Sequence, residues 1–252
     1  MENKATVLNK VARITLYFWI MKVLSTTLGE ILGDFLSMSL NLGYVIGLVI
    51  TIVLFLVVLA FQLKAATYHP PLFWLVIVST TTLGTEISDL MDRTLRLGYI
   101  AGSLLLFFCL MLTLFLWHKK EKGIRVYPVT KRSTEAFYWT AILISNSLGT
   151  AFGDYLSDNI GLSYLAGAAI TAGIIGIVML LHYFTKLNDI LLFWIAFVFT
   201  RPFGATFGDF LTKPLADGGL NFSRGIAALI TAGLLVLVLL LSMKKDKELK
   251  NV

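Results

Sequence analysis

Charge is what this chain most lacks. Asp, Glu, Lys and Arg make up 14% of its 252 residues, where a soluble domain carries roughly a quarter. With 57% hydrophobic residues and a mean hydropathy of +0.82, no sizeable soluble domain fits. Cysteine is nearly absent. Cys109 alone, inside an apolar run, excludes a disulfide framework within the chain and any cysteine-based metal site. There is no nucleophile–base set, phosphate-binding loop, dinucleotide fingerprint or zinc motif. His69, His118 and His182 lie at helix ends, and no two of them have ligand spacing. An enzyme is therefore not expected. The net charge of +6 does not imply nucleic acid, because no folded domain exists to carry a basic face.

What the chain has is long apolar runs. They cover 14–36, 42–63, 72–91, 97–117, 136–157, 161–184, 190–211 and 222–243. Each is about 20 residues or slightly more, enough for a helix to cross roughly 30 Å of hydrocarbon. Strand-like alternation is missing. The expected fold class is an all-α membrane protein of eight transmembrane helices. The N-terminal stretch MENKATVLNKVAR shows no small-residue cleavage site, so the first run is expected to be a retained helix.

The runs repeat in pairs. Trp19, Trp74, Trp139 and Trp194 are each followed ten residues later by a glycine (Gly29, Gly84, Gly149, Gly204) and fifteen later by an aspartate (Asp34, Asp89, Asp154, Asp209). The tryptophans are 55, 65 and 55 residues apart, which fits duplication of a two-repeat half. The expected organisation is an N-terminal stretch 1–13, a first membrane half 14–117 (repeats 14–63 and 72–117), a connector 118–135, a second half 136–243 (repeats 136–184 and 190–243) and a tail 244–252.

Two helices return the chain to its starting side, so all four repeats run parallel, pseudo-symmetric about an axis near the membrane normal. Fifteen basic residues, Lys4 and Lys10 among them, fall before the first helix of a repeat or in the tail. Only Arg93, Arg96, Lys213 and Arg224 fall in the opposite loops. That bias places both termini in the cytoplasm. The tryptophans then sit as anchors at the cytoplasmic interface, and the aspartates about 22 Å further along the axis.

Residues four apart share a helix face. Steps of four ending on each aspartate give Thr26/Glu30/Asp34, Thr81/Thr85/Asp89, Asn146/Thr150/Asp154 and Arg201/Ala205/Asp209, with Lys22 extending the first stripe. Such stripes are costly against lipid and should face the bundle interior. Gly29/Gly33, Gly84/Ser88, Gly149/Gly153 and Gly204/Gly208 are small-x-x-x-small pairs just before the aspartates. They allow a close helix crossing, or else mark a helix break.

The first helices hold Glu30, Asp34, Glu86, Asp89, Asp154 and Asp209 against Lys22 and Arg201, an acidic excess of four. A cation or proton path is the reading this favours, with hard oxygen ligands for a metal ion. The four aspartates with Glu30 and Glu86 are the candidate ligands. Thr26, Thr81, Thr85, Asn146 and Thr150 offer neutral oxygens and an amide, and Lys22 and Arg201 set the charge balance or gate. Arg93, Arg96 and Lys213 lie within reach as ion partners of the aspartates, and Glu30 and Arg201 as partners of each other. Lipid bilayer and a small cation are the expected partners, with nucleic acid excluded and a homo-oligomer left open. No cofactor beyond a bound metal cation is expected. Two alternatives stand beside this: an assembly protein whose acids are structurally paired, and a transporter of a small organic cation using Tyr44, Tyr99 and Tyr164.

The motifs STTLGEILGD, TTTLGTEISD, SNSLGTAFGD and TRPFGATFGD, with their tryptophans, resemble a bacterial family of uncharacterised membrane-anchored proteins built from a tandem repeat of unknown function. The resemblance covers about 14 to 243 and implies a bacterial cytoplasmic membrane, with two membrane helices per repeat. The fourth repeat departs at Arg201–Pro202, where a kink or break is expected.

Overall fold

The computed structural model describes residues 9–250, with side chains through 248. Lys4, the rest of the stretch up to residue 8, the Lys250 side chain and residues 251–252 lie outside the described residues. Among the described residues the fold is all-α, with no strand. Eight long helices form: α1 (Leu16–Asp34), α2 (Gly43–Lys64), α3 (Pro70–Asp89), α4 (Tyr99–Glu121), α5 (Arg132–Asp154), α6 (Tyr164–Phe184), α7 (Asp189–Thr212) and α8 (Arg224–Lys250).

Their starts follow local chemistry. The Thr15 hydroxyl accepts from the Phe18 amide, Pro70 and Pro71 open α3, and the Asn188 carboxamide accepts from the amides of Ile190 and Leu191. These groups satisfy or remove amides that a helix end would otherwise leave unpaired. Five helices are long and apolar enough to cross a membrane: α2, α4, α6, α7 and α8. Leu, Val, Ile and Phe side chains dominate their exposed faces. An exterior of that kind marks a membrane protein. The helices α1, α3 and α5 fall short on composition because they carry the polar stripes.

The glycine pairs do not break their helices, and neither does Pro202, which lies inside an unbroken α7. The irregular turns come later. α1, α3 and α5 each run on into one π-helical turn after their aspartate (Phe35–Ser39, Leu90–Thr94, Tyr155–Asn159). The fourth repeat has no such turn. Its longer connector folds back, so that Leu220 and Phe222 amides bond to the carbonyls of Phe210 and Leu211.

The four first helices pack as a closed cycle: α1 on α3, α3 on α5, α5 on α7, α7 on α1. Each second helix packs along the first helix of the next repeat (α2 on α3, α4 on α5, α6 on α7), and α8 closes back on α1. The two helices of one repeat are therefore not the packed pair. The repeats interlock, and four inner helices stand inside four outer ones.

Candidate functional site

Glycines set how closely the inner helices approach. A Cβ on Gly29 would strike Thr81, and on Gly33 Thr85; on Gly84 it would crowd Asn146, and on Gly149 Arg201 and Pro202. On Gly153 it would crowd Ala205, on Gly204 it would strike Thr26, and on Gly208 it would crowd Glu30. One rule runs round the cycle: the glycine face of each helix receives the polar stripe of the next. Close crossings of this kind bring backbone carbonyls within reach of side-chain donors. The Thr81 hydroxyl donates to the Ser25 carbonyl and the Thr26 hydroxyl to the Thr200 carbonyl, both at 3.0 Å. Ser88, the one non-glycine in the four pairs, is buried and lies 3.5 Å from Asp92 instead.

Arg201 crosses the centre of the ring. Fully buried, it donates to a Glu30 carboxylate oxygen at 2.8 Å, to the carbonyls of Thr26 at 3.2 Å and Thr81 at 3.4 Å, and to the Thr85 hydroxyl. The fourth repeat thereby ties itself to the first two. Thr150 bonds only within its own helix, to the Asn146 carbonyl. One layer closer to the tryptophans, the Lys22 ammonium donates to the Asn146 side-chain oxygen at 3.0 Å and stands 4.0 Å over the Phe197 ring. Its partners are an amide and an aromatic face, not a carboxylate.

All four aspartates are buried. Basic residues one turn further on fold back onto them. Arg93 lies 3.0 Å from Asp89 and 3.4 Å from Asp154, and Lys213 lies 3.2 Å from Asp209 and 3.3 Å from Asp34. Arg224 adds a contact to Asp34 at 3.4 Å. Arg93 and Lys213 are 120 residues apart, the offset of the duplicated halves. Each bridges its own repeat to the next. Carboxylate oxygens of Glu30, Asp154 and Asp209 come within 4.8 Å of one another, close enough to share a hard cation if the basic side chains withdraw.

Three expectations change here. The acidic excess of four is not what the site presents. Arg93 and Lys213, expected within reach of the aspartates, do pair with them, Arg224 joins at Asp34, and Glu30 is held by Arg201. Glu86 does not join the ring: it accepts from the Ser37 hydroxyl at 2.5 Å and lies against Gly47 of α2, on another face of α3. Glu86 follows Thr85 of the stripe by one residue, a turn of about 100° around the helix, which carries it off the line of Thr81, Thr85 and Asp89. Three of the four repeat tryptophans are not lipid-facing anchors, and Trp19 is half-buried. Trp74, Trp139 and Trp194 are buried with unpartnered indole nitrogens. Each sits in a ring-on-ring layer: Phe18 on Trp74, Phe73 on Trp139, Phe193 on Trp19, and Trp117 on Trp194. Aromatic edges and faces attract one another, so this layer closes that end of the bundle.

Sequence reasoning missed Glu135. Its carboxylate pairs with Lys10 in a buried contact, and the Gln62 amide donates to it at 3.3 Å and to the Lys10 carbonyl at 2.9 Å. Nothing in the spacing pairs Lys10 with Glu135, 125 residues apart.

One family repeat matches the chain four times, at 17–68, 72–122, 137–188 and 192–247. The chain belongs to the family described as Repeat of Unknown Function (DUF347). Each family repeat spans one inner helix and the outer helix that follows it, so the unit of sequence is not the unit of packing. The tryptophan, the glycine ten residues after it and the aspartate of each copy all lie on inner helices. No curated protein and no solved structure matches the chain at a significant level.

Proposed function

We propose that this protein lies in the bacterial cytoplasmic membrane, crosses it eight times with both termini in the cytoplasm, and moves a small cation, as a channel or as a coupled transporter. The basic bias of the loops supports that orientation. The pseudo-symmetry axis then runs near the membrane normal, through the inner ring. The three less apolar helices span as well, because their polar faces are turned onto one another. No chemical conversion is involved.

The observation that carries the reading is the gathering of carboxylates from three inner helices, Glu30, Asp154 and Asp209, within 4.8 Å inside an apolar exterior. Buried acids are expensive in a bilayer and mark ion pathways. Arg93 and Lys213 keep 28% and 14% of their side-chain surface exposed, so they can swing outward and yield their carboxylates to an incoming metal ion or proton. Arg201, wholly buried, blocks the next layer. The aromatic layer blocks the cytoplasmic end. In transport the two barriers open in turn. The test is uptake and efflux of Mg2+, Mn2+ and protons in proteoliposomes, comparing the native chain with Asp34→Asn, Asp89→Asn, Asp154→Asn and Asp209→Asn. Loss of flux in the variants is expected. Equal flux in all five overturns the proposal.

A second reading has its own support. Each ring acid already has a basic partner: Arg201 at 2.8 Å for Glu30 and Arg93, Lys213 or Arg224 at 3.0 to 3.4 Å for the aspartates. A non-transporting assembly protein would be paired in this way. It conducts none of the three ions, and its aspartate variants lose stability only.

A further inference from the structure

A groove of about 680 Å3 opens sideways between α4 and α7, and none of its lining residues belongs to the acid ring. Phe107, Leu110, Met111 and Leu114 of α4 form one wall, and Leu191, Ile195 and Val198 of α7 the other. Leu148 and Trp194 form its buried floor. Its polarity changes only at one end. There the lining becomes His118 and Asn188, with the connector residues Gly123 and Ile124. From Phe107 to His118 the helix rises about 16 Å. That is about half of a 30 Å hydrocarbon core, the depth of one leaflet.

The charges at the polar end are predominantly of one sign. Lys122, the left-handed residue that ends α4, stands next to the groove-lining Gly123, one turn past His118. Lys119 and Lys122 are exposed, and so is Lys186, two residues before Asn188. Two acids stand at that end, each with its own partner: Asp189 faces His182 at 3.0 Å, and Glu121 lies 3.5 Å from Lys131 and accepts from the Ser133 hydroxyl. A one-leaflet apolar slot that ends in a basic, hydrogen-bonding mouth is complementary to a molecule with one long hydrocarbon chain and a negative head. Basic pockets beside membrane helices on the cytoplasmic side hold anionic head groups in this way.

We propose that this groove is a binding site for an anionic phospholipid of the cytoplasmic leaflet. One acyl chain lies along Leu114 and Val198, and the phosphate meets His118, Lys119 and Lys122. The connector between the two halves is pinned in place by the same head group. The site rests on the membrane placement proposed above and is independent of whether the acid ring moves ions.

The test is native mass spectrometry of the full chain released from nanodiscs of phosphatidylglycerol or phosphatidylcholine, with thermal unfolding measured beside it. The native protein should retain phosphatidylglycerol over phosphatidylcholine and gain thermal stability from it. Lys119→Gln with Lys122→Gln should lower phosphatidylglycerol retention by about fivefold per lysine removed and leave the lipid-free unfolding temperature unchanged. Val198→Trp, which fills the slot, should abolish retention of both lipids. Retention that ignores the head group, or that survives both the lysine changes and the filled slot, overturns the assignment. If Val198→Trp fails to fold, the lysine pair on the exposed mouth still decides it.

Discussion

Arg201 and Glu30 form an ion pair of 2.8 Å between the fourth and first repeats, in the buried centre of the inner ring. Removing one partner strands a charge. Arg201→Met should destabilise the protein by roughly 3–5 kcal/mol, read as a lower unfolding temperature in one detergent. Adding Glu30→Met to it should recover a large part of that loss, since two apolar groups leave nothing unpaired. Arg201→Lys should not substitute, because a single ammonium cannot reach the Glu30 carboxylate, the Thr26 and Thr81 carbonyls and the Thr85 hydroxyl together. A double variant no more stable than Arg201→Met sinks this account.

The glycine contacts predict a position-dependent cost for one methyl group. Gly29→Ala and Gly204→Ala drive a Cβ into Thr81 and Thr26 respectively, which should cost about 1–3 kcal/mol through overpacking. Gly173→Ala meets open space and should be neutral or slightly stabilising. Parallel melting curves of the three variants distinguish this from a general preference for glycine in these helices. Equal effects at all three positions contradict it.

If Arg93 and Lys213 compete with a cation for the aspartates, removing one of them should tighten cation binding. Lys213→Met is expected to raise Mn2+ affinity by about tenfold, the scale of one close charge pair in a partly screened site. Asp154→Asn and Asp209→Asn should weaken it. Equilibrium binding followed by the Mn2+ spin-resonance signal reads this without any transport assay. Weaker binding in Lys213→Met would mean that the lysine helps hold the site together rather than guarding it.

The Lys10–Glu135 pair fastens the segment before α1 to the rest of the tryptophan end. The Lys10 amide bonds to the Val129 carbonyl at 3.0 Å, and the Tyr68 amide to the Asn9 carbonyl at 2.8 Å. Glu135→Gln should loosen both, since a neutral amide replaces one member of a buried pair. Amide hydrogen exchange at Lys10 and Tyr68 is expected to accelerate, with exchange in α6 unchanged. Uniform acceleration through the whole protein would show that the pair supports global stability instead.

Much of the site was legible in the sequence because the relevant information is periodic. The fifteen-residue step from Trp19 to Asp34, repeated three more times, marks the inner helices, and spacing by four marks the face that carries Thr26, Glu30 and Asp34. The small-residue pairs mark where helices touch. What stayed hidden has no period. Lys10 meets Glu135 across 125 residues. Glu86 sits three residues before Asp89, near enough in helix angle to look like part of the same site, and only its contacts with Ser37 and Gly47 show otherwise. Trp74 and Trp139 look like interface anchors to any reading by residue type, because preference for an interface and preference for an aromatic core attract the same side chain.

The sequence by itself determined eight long helices, their fourfold repetition and the burial of one polar stripe per repeat, because helix periodicity and the cost of exposing polar groups to an apolar surrounding act locally on each segment. Only the tertiary structure decided that α2 leaves α1 and packs on α3, that Arg93 and Lys213 are each shared between the aspartates of two repeats, and that Arg201, beside Glu30, also reaches the carbonyls of Thr26 and Thr81. Those outcomes depend on which surfaces meet once the cycle closes, and a repeat cannot encode by itself which neighbour it will face.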